Sequence, residues 1–412
     1  MTTLAEETTA VPSEPAVEEL SLREPRGRVL LGTITAAHFS HHVTNSLLSP
    51  LLPLIRSAFG LTYGESGLAV SAFSLSAGLA NAPWGVLADR WGSRTVIVGG
   101  LFLMGSVSVA LATAGGYWQL LAFLVLMGIV SGSYHGPTAA LIARTFSPRV
   151  RGAAMGMHIT GGHLSFFAAP AVAGFLAQAS GTWRTPYLLF AVAPIAFGAL
   201  LWFVAPRVQE RTAPGGQRFA AFREIANVFR DVGPIVSLSI VFQFGLAAVL
   251  AFLAVYFVES RGLSVSTAAL LFGIPQLVGV IGAPLGGWLS DRLGRRTVIL
   301  GALTLMGPAV FAVTVAPNEA LVVALALFGL LWSMRGTVTE TLVMDSAPPG
   351  RRATVLGAYY LVNAEIGGFG APLFGVLAET VGLSTAFAWI GIAFVGLSGL
   401  TLIAARRLAS AG

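Results

Sequence analysis

The sequence has no cysteine and no lysine, and charged residues of any kind are scarce. Without cysteine, neither disulfide bonds nor thiolate metal sites need to be considered. All 24 basic residues are arginine. Charged residues make up 10% of the 412 positions, hydrophobic residues make up 55%, and the mean hydropathy is +0.79. A soluble core could not bury so much apolar sequence, so the composition predicts a membrane protein.

The N-terminal stretch lacks the basic region followed by an apolar core that marks a signal peptide. It is acidic and contains proline instead, so residues 1–28 are predicted to form a disordered cytoplasmic tail. No phosphate-binding loop motif is present, which argues against an ATP site. The formal net charge is +6, but the arginines lie between apolar runs and not in one patch, so we expect no nucleic-acid partner.

Twelve apolar runs divide the chain, each long enough to cross a bilayer as a helix. The segments predicted to lie inside carry most of the arginines, whereas the outside segments hold only Arg56, Arg184 and Arg261. By the positive-inside rule, both termini are therefore predicted to be cytoplasmic. The predicted helices cover residues 29–55, 64–88, 95–114, 117–143, 151–179, 184–206, 233–259, 265–290, 296–315, 318–346, 351–379 and 384–405.

A charged turn that follows the second predicted helix returns after the eighth. The first copy reads Gly85-Val-Leu-Ala-Asp89-Arg90-Trp-Gly92-Ser-Arg94-Thr95, and the second reads Gly287-Trp-Leu-Ser-Asp291-Arg292-Leu-Gly294-Arg295-Arg296-Thr297. The chain is therefore predicted to be an internal duplication. Its halves are 29–206 and 233–405, followed by a cytoplasmic tail at 406–412. The cytoplasmic linker 207–232 has phenylalanines at helical spacing and is predicted to contain an amphipathic helix.

These two turns resemble the G-x-x-x-D-R-x-G-x-R-R signature of the major facilitator superfamily. The resemblance implies an all-α membrane protein with twelve transmembrane helices in two pseudo-symmetric six-helix bundles. It also implies that the turns latch neighbouring helix ends in one conformation and release them in another. The alternative is that the arginines only fix the topology. The gating role falls on Asp89, Arg90, Gly92, Arg94, Asp291, Arg292, Gly294, Arg295 and Arg296.

Within that superfamily, a second pattern resembles the fosmidomycin-resistance exporters. It consists of Tyr134-His135-Gly-Pro137 followed by Arg151-Gly152 and Gly161-Gly162. Those exporters usually read F-H-P-x-G, whereas the order here is Y-H-G-P-T. Ala169-Pro170-Ala-Val-Ala-Gly174 resembles the G-P-x-x-x-G antiporter motif of drug exporters, with alanine in place of the first glycine. Leu124 stands where the common multidrug exporters carry an arginine, which argues against that branch.

The first predicted helix carries a polar stripe, and polar groups at membrane depth need a reason. His38, His41, His42, Asn45 and Ser49 project onto one face at 100° per residue. We expect this face to line a cavity, although histidines hydrogen-bonded between helices are the alternative. The remaining histidines, also in the first half, are His135, His158 and His163.

These histidines allow two kinds of chemistry. The reference pKa of histidine, about 6.5, suits coupling of transport to a proton gradient. Imidazoles also bind divalent metals, and His38 and His42 are one helical turn apart. The spacing does not decide between them. His38 and His42 are spaced as in helical metal sites, yet no carboxylate lies at membrane depth in this half.

The second half carries charged groups at membrane depth instead. Arg335 and Glu340 fall in the tenth predicted helix and Glu365 in the eleventh, with Gln243, Gln276 and Asn363 as uncharged partners. We expect Arg335 to pair with Glu365, so that protonating Glu365 frees Arg335 to hold an anion. The alternatives are a permanent pair that orients two helices and, for Glu340 with Asp345, a gate against Arg351 and Arg352. Glu259 is expected to be solvated.

The pattern as a whole predicts a secondary active transporter of the bacterial inner (plasma) membrane, working by alternating access, with no cofactor and no enzymatic activity. The expected partners are a small-molecule substrate, protons and the lipid bilayer, and the expected state is a monomer. The favoured function is proton-coupled export of a small drug-like or anionic organic compound. The alternative is a divalent metal ion transporter that uses the histidines of the N-terminal half. The duplicated gating loops argue against a membrane-embedded enzyme or sensor.

Overall fold

The computed structural model describes residues 20–207, 218–347 and 352–410, with the backbone alone for 218–232, most of 352–367 and 404–410. In this part of the chain the structure is helical apart from short turns and one isolated bridge between Leu20 and Phe146. A π-helical turn, Tyr256–Ser260, extends α10, and a 3₁₀ turn, Asn318–Ala320, precedes α13. The helices are α1 Pro25–Asn45, α2 Leu48–Phe59, α3 Tyr63–Trp91, α4 Ser93–Ala112, α5 Tyr117–Ser131, α6 His135–Thr145, α7 Pro148–Ser180, α8 Arg184–Phe190, α9 Val192–Val204, α10 Arg218–Val255, α11 Val265–Leu293, α12 Arg295–Val315, α13 Leu321–Ser346, α14 Arg352–Val381 and α15 Leu383–Ser410.

These helices correspond to the twelve predicted spans. Three of the spans are broken in two: α1 with α2, α5 with α6, and α8 with α9. Among the described residues, nine helical stretches are long and apolar enough to cross a membrane, and Gly368–Val381 is a shorter apolar helix within α14. The other two predicted spans are α1 with α2, which carries the polar stripe, and α3, which ends in the charged turn. Large apolar side chains such as Phe203, Phe175 and Ile281 are exposed on the outer surface, as a lipid environment requires.

The N-terminal boundary differs from the prediction. Residues 20–28 were expected to belong to a disordered tail, but Leu20 is buried and its amide donates to the Thr145 carbonyl at 2.8 Å. The Ser147 amide in turn donates to the Leu20 carbonyl at 3.3 Å. This pairing satisfies backbone groups next to the start of α7, and α1 begins at Pro25. The rest of the predicted tail, residues 1–19, lies outside the described residues.

The linker leads directly into the second half. The predicted amphipathic helix is helical from Arg218, but it continues without a break into the seventh span as α10. Pro234 lies inside this helix and does not end it, because neighbouring groups in a helix bundle can satisfy the carbonyl that a proline leaves free. Residues 208–217 lie outside the described residues.

The two charged turns have the same backbone conformation. Gly92 ends α3 with φ 85° and ψ 139°, and Gly294 ends α11 with φ 86° and ψ 146°. Only glycine adopts these angles without strain. In both turns the glycine amide donates to the carbonyl four residues before it. Gly92 donates to the Ala88 carbonyl at 2.8 Å, and Gly294 donates to the Ser290 carbonyl at 3.0 Å. The duplication seen in the sequence therefore extends to the geometry of the turns.

The halves meet where α3 packs against α14 and α7 packs against α11. Glycine allows this approach: a Cβ added to Gly67 would lie 2.5 Å from the Ala371 carbonyl oxygen. A Cβ on Gly375 would lie 2.3 Å from the Tyr63 carbonyl oxygen. Deeper along the same crossing, the Ser71 hydroxyl donates to the Gly368 carbonyl. The charge pattern predicts this end, opposite the charged turns, to lie outside.

Polar contacts seal the same end. Arg56 forms an ion pair with Glu259 at 2.6 Å, and the Tyr63 hydroxyl donates to the other oxygen of Glu259 at 2.8 Å. Glu259 is exposed, as expected, and its carboxylate also bridges the two halves. The Gly64 amide donates to Glu379 at 3.0 Å. The structure thus represents a state closed at the end predicted to face outward.

We predict that Gly67→Leu disfavours this state. A side chain at this position would collide with backbone at Ala371 and Pro372, and overpacking of about 1–3 kcal/mol would shift the balance of states roughly 5- to 150-fold. The chain has no cysteine, so Ser333→Cys in the cavity can report exposure to a membrane-impermeant thiol reagent added outside cells. Labelling should rise with Gly67→Leu. It should not rise with Gly301→Leu, where a Cβ meets no atom within 4 Å, and equal labelling of the two would contradict the packing argument.

Candidate functional site

A cavity of about 310 Å³ lies between the halves, lined mainly by α10, α11, α13 and α14 of the second half. Four residues predicted for the substrate or proton pathway meet there: His163, Gln243, Arg335 and Glu340. His163 comes from α7, so both halves contribute to the wall. The lining residues are His163, Gln243, Pro275, Gln276, Gly279, Val280, Ala283, Trp332, Ser333, Arg335, Gly336, Thr337, Glu340 and Tyr359.

Arg335 is the cation in this wall. Its guanidinium donates from Nη1 to the carbonyl and hydroxyl oxygens of Ser239 at 2.9 and 2.7 Å, and from Nη2 to Gln243 Oε1 at 2.8 Å. Its Nε is buried without a hydrogen-bond partner among the described residues. Arg335 is only 2% exposed, and the oxygens that accept its hydrogen bonds are uncharged. The positive charge is thus oriented by hydrogen bonds and not cancelled by them.

The acidic residues that the sequence places in the second half lie at different positions relative to Arg335. Glu340 lies on the same helix and lines the same cavity. The side chains of Glu365 and Asn363 lie outside the described residues, so the proposed pair between Arg335 and Glu365 stays a prediction. Asp345 lies 3.3 Å from Arg295 Nε and so contacts the second charged turn.

Sequence reasoning missed Ser239, Trp332 and Tyr359. Ser239 is fully buried and accepts two hydrogen bonds from Arg335, and its hydroxyl lies 3.3 Å from that of Thr339. A signal was present, because Ser239 and Gln243 are one turn apart on an apolar helix and so share a face. Trp332 and Tyr359 look like ordinary apolar helix residues in the sequence, and only the tertiary structure places them at the cavity.

Five of the six histidines form one cluster around Tyr134. The ring centroids of His38 and His158 are 3.9 Å apart in a stacked pair, and those of His38 and His42 are 4.7 Å apart. The ring centroids of His42 and His135 are 5.1 Å apart, and those of His41 and His135 are 5.0 Å apart. The cluster thus joins α1 to α6 and α7. His163, the sixth histidine, lines the central cavity.

The hydrogen bonds of α1 show how its polar stripe is used. His38 Nδ1 donates to the His158 carbonyl at 2.7 Å. The Asn45 amide donates to His41 Nε2 at 3.1 Å and to the Ser131 hydroxyl at 2.8 Å. His38 and His41 are buried between helices, whereas His42 is half-buried and His135 is exposed. The stripe therefore contributes both interhelical bonds and more open imidazoles.

The two charged turns make different contacts. Arg295 binds Asp291 at 2.5 Å and Asp345 at 3.3 Å, which ties its turn to the end of α13. Arg94 instead donates to the Trp202 carbonyl, and its guanidinium lies 4.5 Å from the Trp202 ring. These contacts hold each turn to its own half.

The remaining gating residues make few contacts with the residues that the structure describes. The Arg292 guanidinium lies 3.9 Å from the Trp288 ring of its own helix. Asp89 and Arg90 are exposed, and Arg296 is exposed at the start of α12. A latch across the halves is therefore not part of the described contacts in this state, and the gating role stays a prediction.

Two related helical halves around a central polar cavity, closed at one end, define a membrane transporter. The sequence model of the Major Facilitator Superfamily matches residues 34–372. The chain therefore belongs to the Major Facilitator Superfamily, and the predicted fold of two six-helix bundles is confirmed. It is a multi-pass membrane transporter and not an enzyme.

Relatives and solved structures agree with this assignment. The chain is 26% identical over 383 residues to a probable sulfoacetate transporter of Cupriavidus necator, covering 86% of this chain and 88% of the relative. It is 24% identical over 356 residues to a fosmidomycin resistance protein of Escherichia coli, covering 85% of this chain and 86% of the relative. The predicted resemblance to that group is therefore confirmed. An inward-facing, unoccupied bacterial homolog of the human lysosomal transporter Spinster superposes with a TM-score of 0.78 at 19% identity, covering 93% of this chain and 96% of that one.

We predict that Gln243→Leu destabilises the protein. It removes an acceptor from the buried Arg335 guanidinium, and an unsatisfied buried donor costs about 1–3 kcal/mol. Thermal unfolding in detergent should therefore begin at lower temperature. Gln276→Leu is the matched control, because Gln276 lines the same cavity and has no hydrogen bond to the described residues. If both substitutions lower the unfolding temperature equally, Gln243 does not support Arg335.

Proposed function

We propose that the protein is a secondary active transporter that exports a small organic anion in exchange for protons. The observation that carries this proposal is the buried guanidinium of Arg335 at the wall of the central cavity. Its Nη atoms are fixed by neutral acceptors, and its Nε has no partner among the described residues. A substrate carboxylate, sulfonate or phosphonate would bring a negative charge to the guanidinium and accept charge-assisted hydrogen bonds.

Cavity size and relatives support a small anionic substrate. A cavity of about 310 Å³ lies at the lower end of the range for small-molecule sites. One relative is a probable sulfoacetate transporter, and a second, from Bacillus subtilis, is a hexuronate transporter with 25% identity over 368 residues, covering 83% of this chain and 86% of the relative. Sulfoacetate and hexuronate are both organic anions. The direction, export, is supported by the fosmidomycin resistance protein among the relatives.

The energy source we propose is the proton gradient. Glu340 and His163 line the cavity with Arg335, so a titratable acid and a titratable base share the space with the anion site. Exchange requires that the anion and the proton do not occupy the site together, so we propose that a carboxylate near Arg335 takes up its proton only after the anion has left the cavity. Glu340 can act in this way from its described position, and Glu365 is the second candidate.

The membrane arrangement follows the charge pattern. We place the protein in the bacterial inner membrane as a monomer with both termini in the cytoplasm, so that the closed end faces outward. The cavity then opens to the cytoplasm, where an exporter collects its substrate. The turns around Asp89 and Asp291 lie at that open end, where we propose that they latch the halves when the cavity faces outward.

Substitution of Arg335 tests the anion site. In detergent, Arg335→Gln should weaken binding of sulfoacetate, a hexuronate or fosmidomycin about 10- to 150-fold, because it removes a charged hydrogen-bonding partner worth roughly 1.5–3 kcal/mol. Arg335→Lys should lose part of the affinity, since it keeps the charge without the planar fork. Binding can be measured as the ligand concentration that raises the unfolding temperature.

The matched control is Arg184→Gln. Arg184 donates to the Ala112 carbonyl at 2.8 Å and lies 4.5 Å from the Trp183 ring, at the outer end and away from the cavity. It should not change anion binding. Equal affinities of wild type and Arg335→Gln for every anion that binds would reject Arg335 as the anion site.

A further inference from the structure

We propose that His38, His42 and His135 bind one divalent transition-metal ion. Each residue offers one ring nitrogen, and the three nitrogens lie within 4.8 Å of one another. Two of the ligands come from α1 and the third from the start of α6, so the ion would join two helices of the first half. This site does not rest on the proposed anion export, which uses Arg335 in the second half.

The hydrogen bond of His38 prepares it as a ligand. Because Nδ1 donates to the His158 carbonyl at 2.7 Å, the proton is on Nδ1 and the lone pair is on Nε2. Nε2 is buried and has no hydrogen-bond partner among the described residues. Metal-binding histidines characteristically donate their other ring N–H to a carbonyl or carboxylate, which fixes the ring. His38 has this arrangement without any further change.

The other two clustered histidines are less suited to the same ion. His41 Nε2 already accepts from the Asn45 amide at 3.1 Å, so its lone pair is used. The His158 ring stacks on His38 with centroids 3.9 Å apart and an interplanar angle of 12°. Stacked rings hold their nitrogens side by side, so they cannot both direct lone pairs at one point. His38, His42 and His135 are the set that remains.

Packing of histidine rings without a metal is the competing explanation. It accounts for the stacked pair of His38 and His158, but it leaves His38 Nε2 buried and unsatisfied, at a penalty of about 1–3 kcal/mol. A metal at the three nitrogens would remove that penalty. His42 is half-buried and His135 is exposed, so an ion could reach the site and their rings could adjust.

The ligand set selects the kind of metal. Zn²⁺–N bonds of about 2.0–2.1 Å in a tetrahedron put the nitrogens roughly 3.4 Å apart, so the widest pair has to close by at most about 1.4 Å. Three imidazoles and no carboxylate suit Zn²⁺, Co²⁺ or Ni²⁺ and not Mg²⁺ or Ca²⁺. The fourth position of a tetrahedral ion is left for water or for an anion.

Cobalt absorption tests the site directly. The full chain is purified without a polyhistidine tag, treated with a chelator and titrated with Co²⁺, whose visible absorption reports a low-coordinate nitrogen site. No thiolate bands can interfere because there is no cysteine. We expect one Co²⁺ per chain, displaced by Zn²⁺, and at least tenfold weaker binding in His135→Ala. His135 is exposed, so its removal should not unfold the protein.

The controls separate this site from others. His163→Ala removes a histidine outside the triad, and Arg335→Lys changes the proposed anion site, and both should bind Co²⁺ like the wild type. Arg335→Lys is measured for Co²⁺ binding here and for anion binding above. Failure of the metal site can therefore be distinguished from failure of the anion site. An octahedral spectrum only, no saturation, or an equal loss in His163→Ala and His135→Ala would overturn the metal site.

Discussion

A guanidinium buried inside a membrane protein must keep its hydrogen bonds, and this requirement shapes the cavity of the second half. Ser239 and Gln243 on α10 supply the acceptors for Arg335 on α13, so the two helices are held in register. An isolated charge at membrane depth costs several kcal/mol, and such residues mark substrate or ion pathways. The neutral acceptors reduce this penalty without cancelling the charge. That residual charge is the physical basis for the anionic substrate that we propose.

The two halves share their backbone geometry but carry different polar side chains. Gly92 and Gly294 repeat one turn with nearly the same dihedral angles, and the crossing of α3 with α14 is matched by that of α7 with α11. The first half places its histidines in one cluster on α1, α6 and α7, whereas the second half holds Arg335 and Glu340. Duplication thus provides two matched bundles, and divergence of their side chains underlies the two separate sites that we propose.

Much of this could be predicted from the sequence, since twelve apolar runs and a repeated charged turn constrain the fold. Four of the proposed pathway residues, His163, Gln243, Arg335 and Glu340, do meet at one cavity, because polar residues at membrane depth rarely lack a polar surrounding. Other features depend on contacts that no periodicity encodes. The pairing of Leu20 with Phe146, the Glu259 bridge and the tautomer of His38 each arise between segments far apart in the chain.

The proposed exchange depends on the coupling of anion and proton movement through Arg335. The most direct measurement uses proteoliposomes with a pH-sensitive dye inside, to which an organic anion that binds the protein is added outside. Exchange of anion for protons predicts that the lumen becomes alkaline with wild-type protein and stays unchanged with Arg335→Gln. Anion uptake without any change in luminal pH, or the same alkalinisation with Arg335→Gln, would contradict exchange through Arg335.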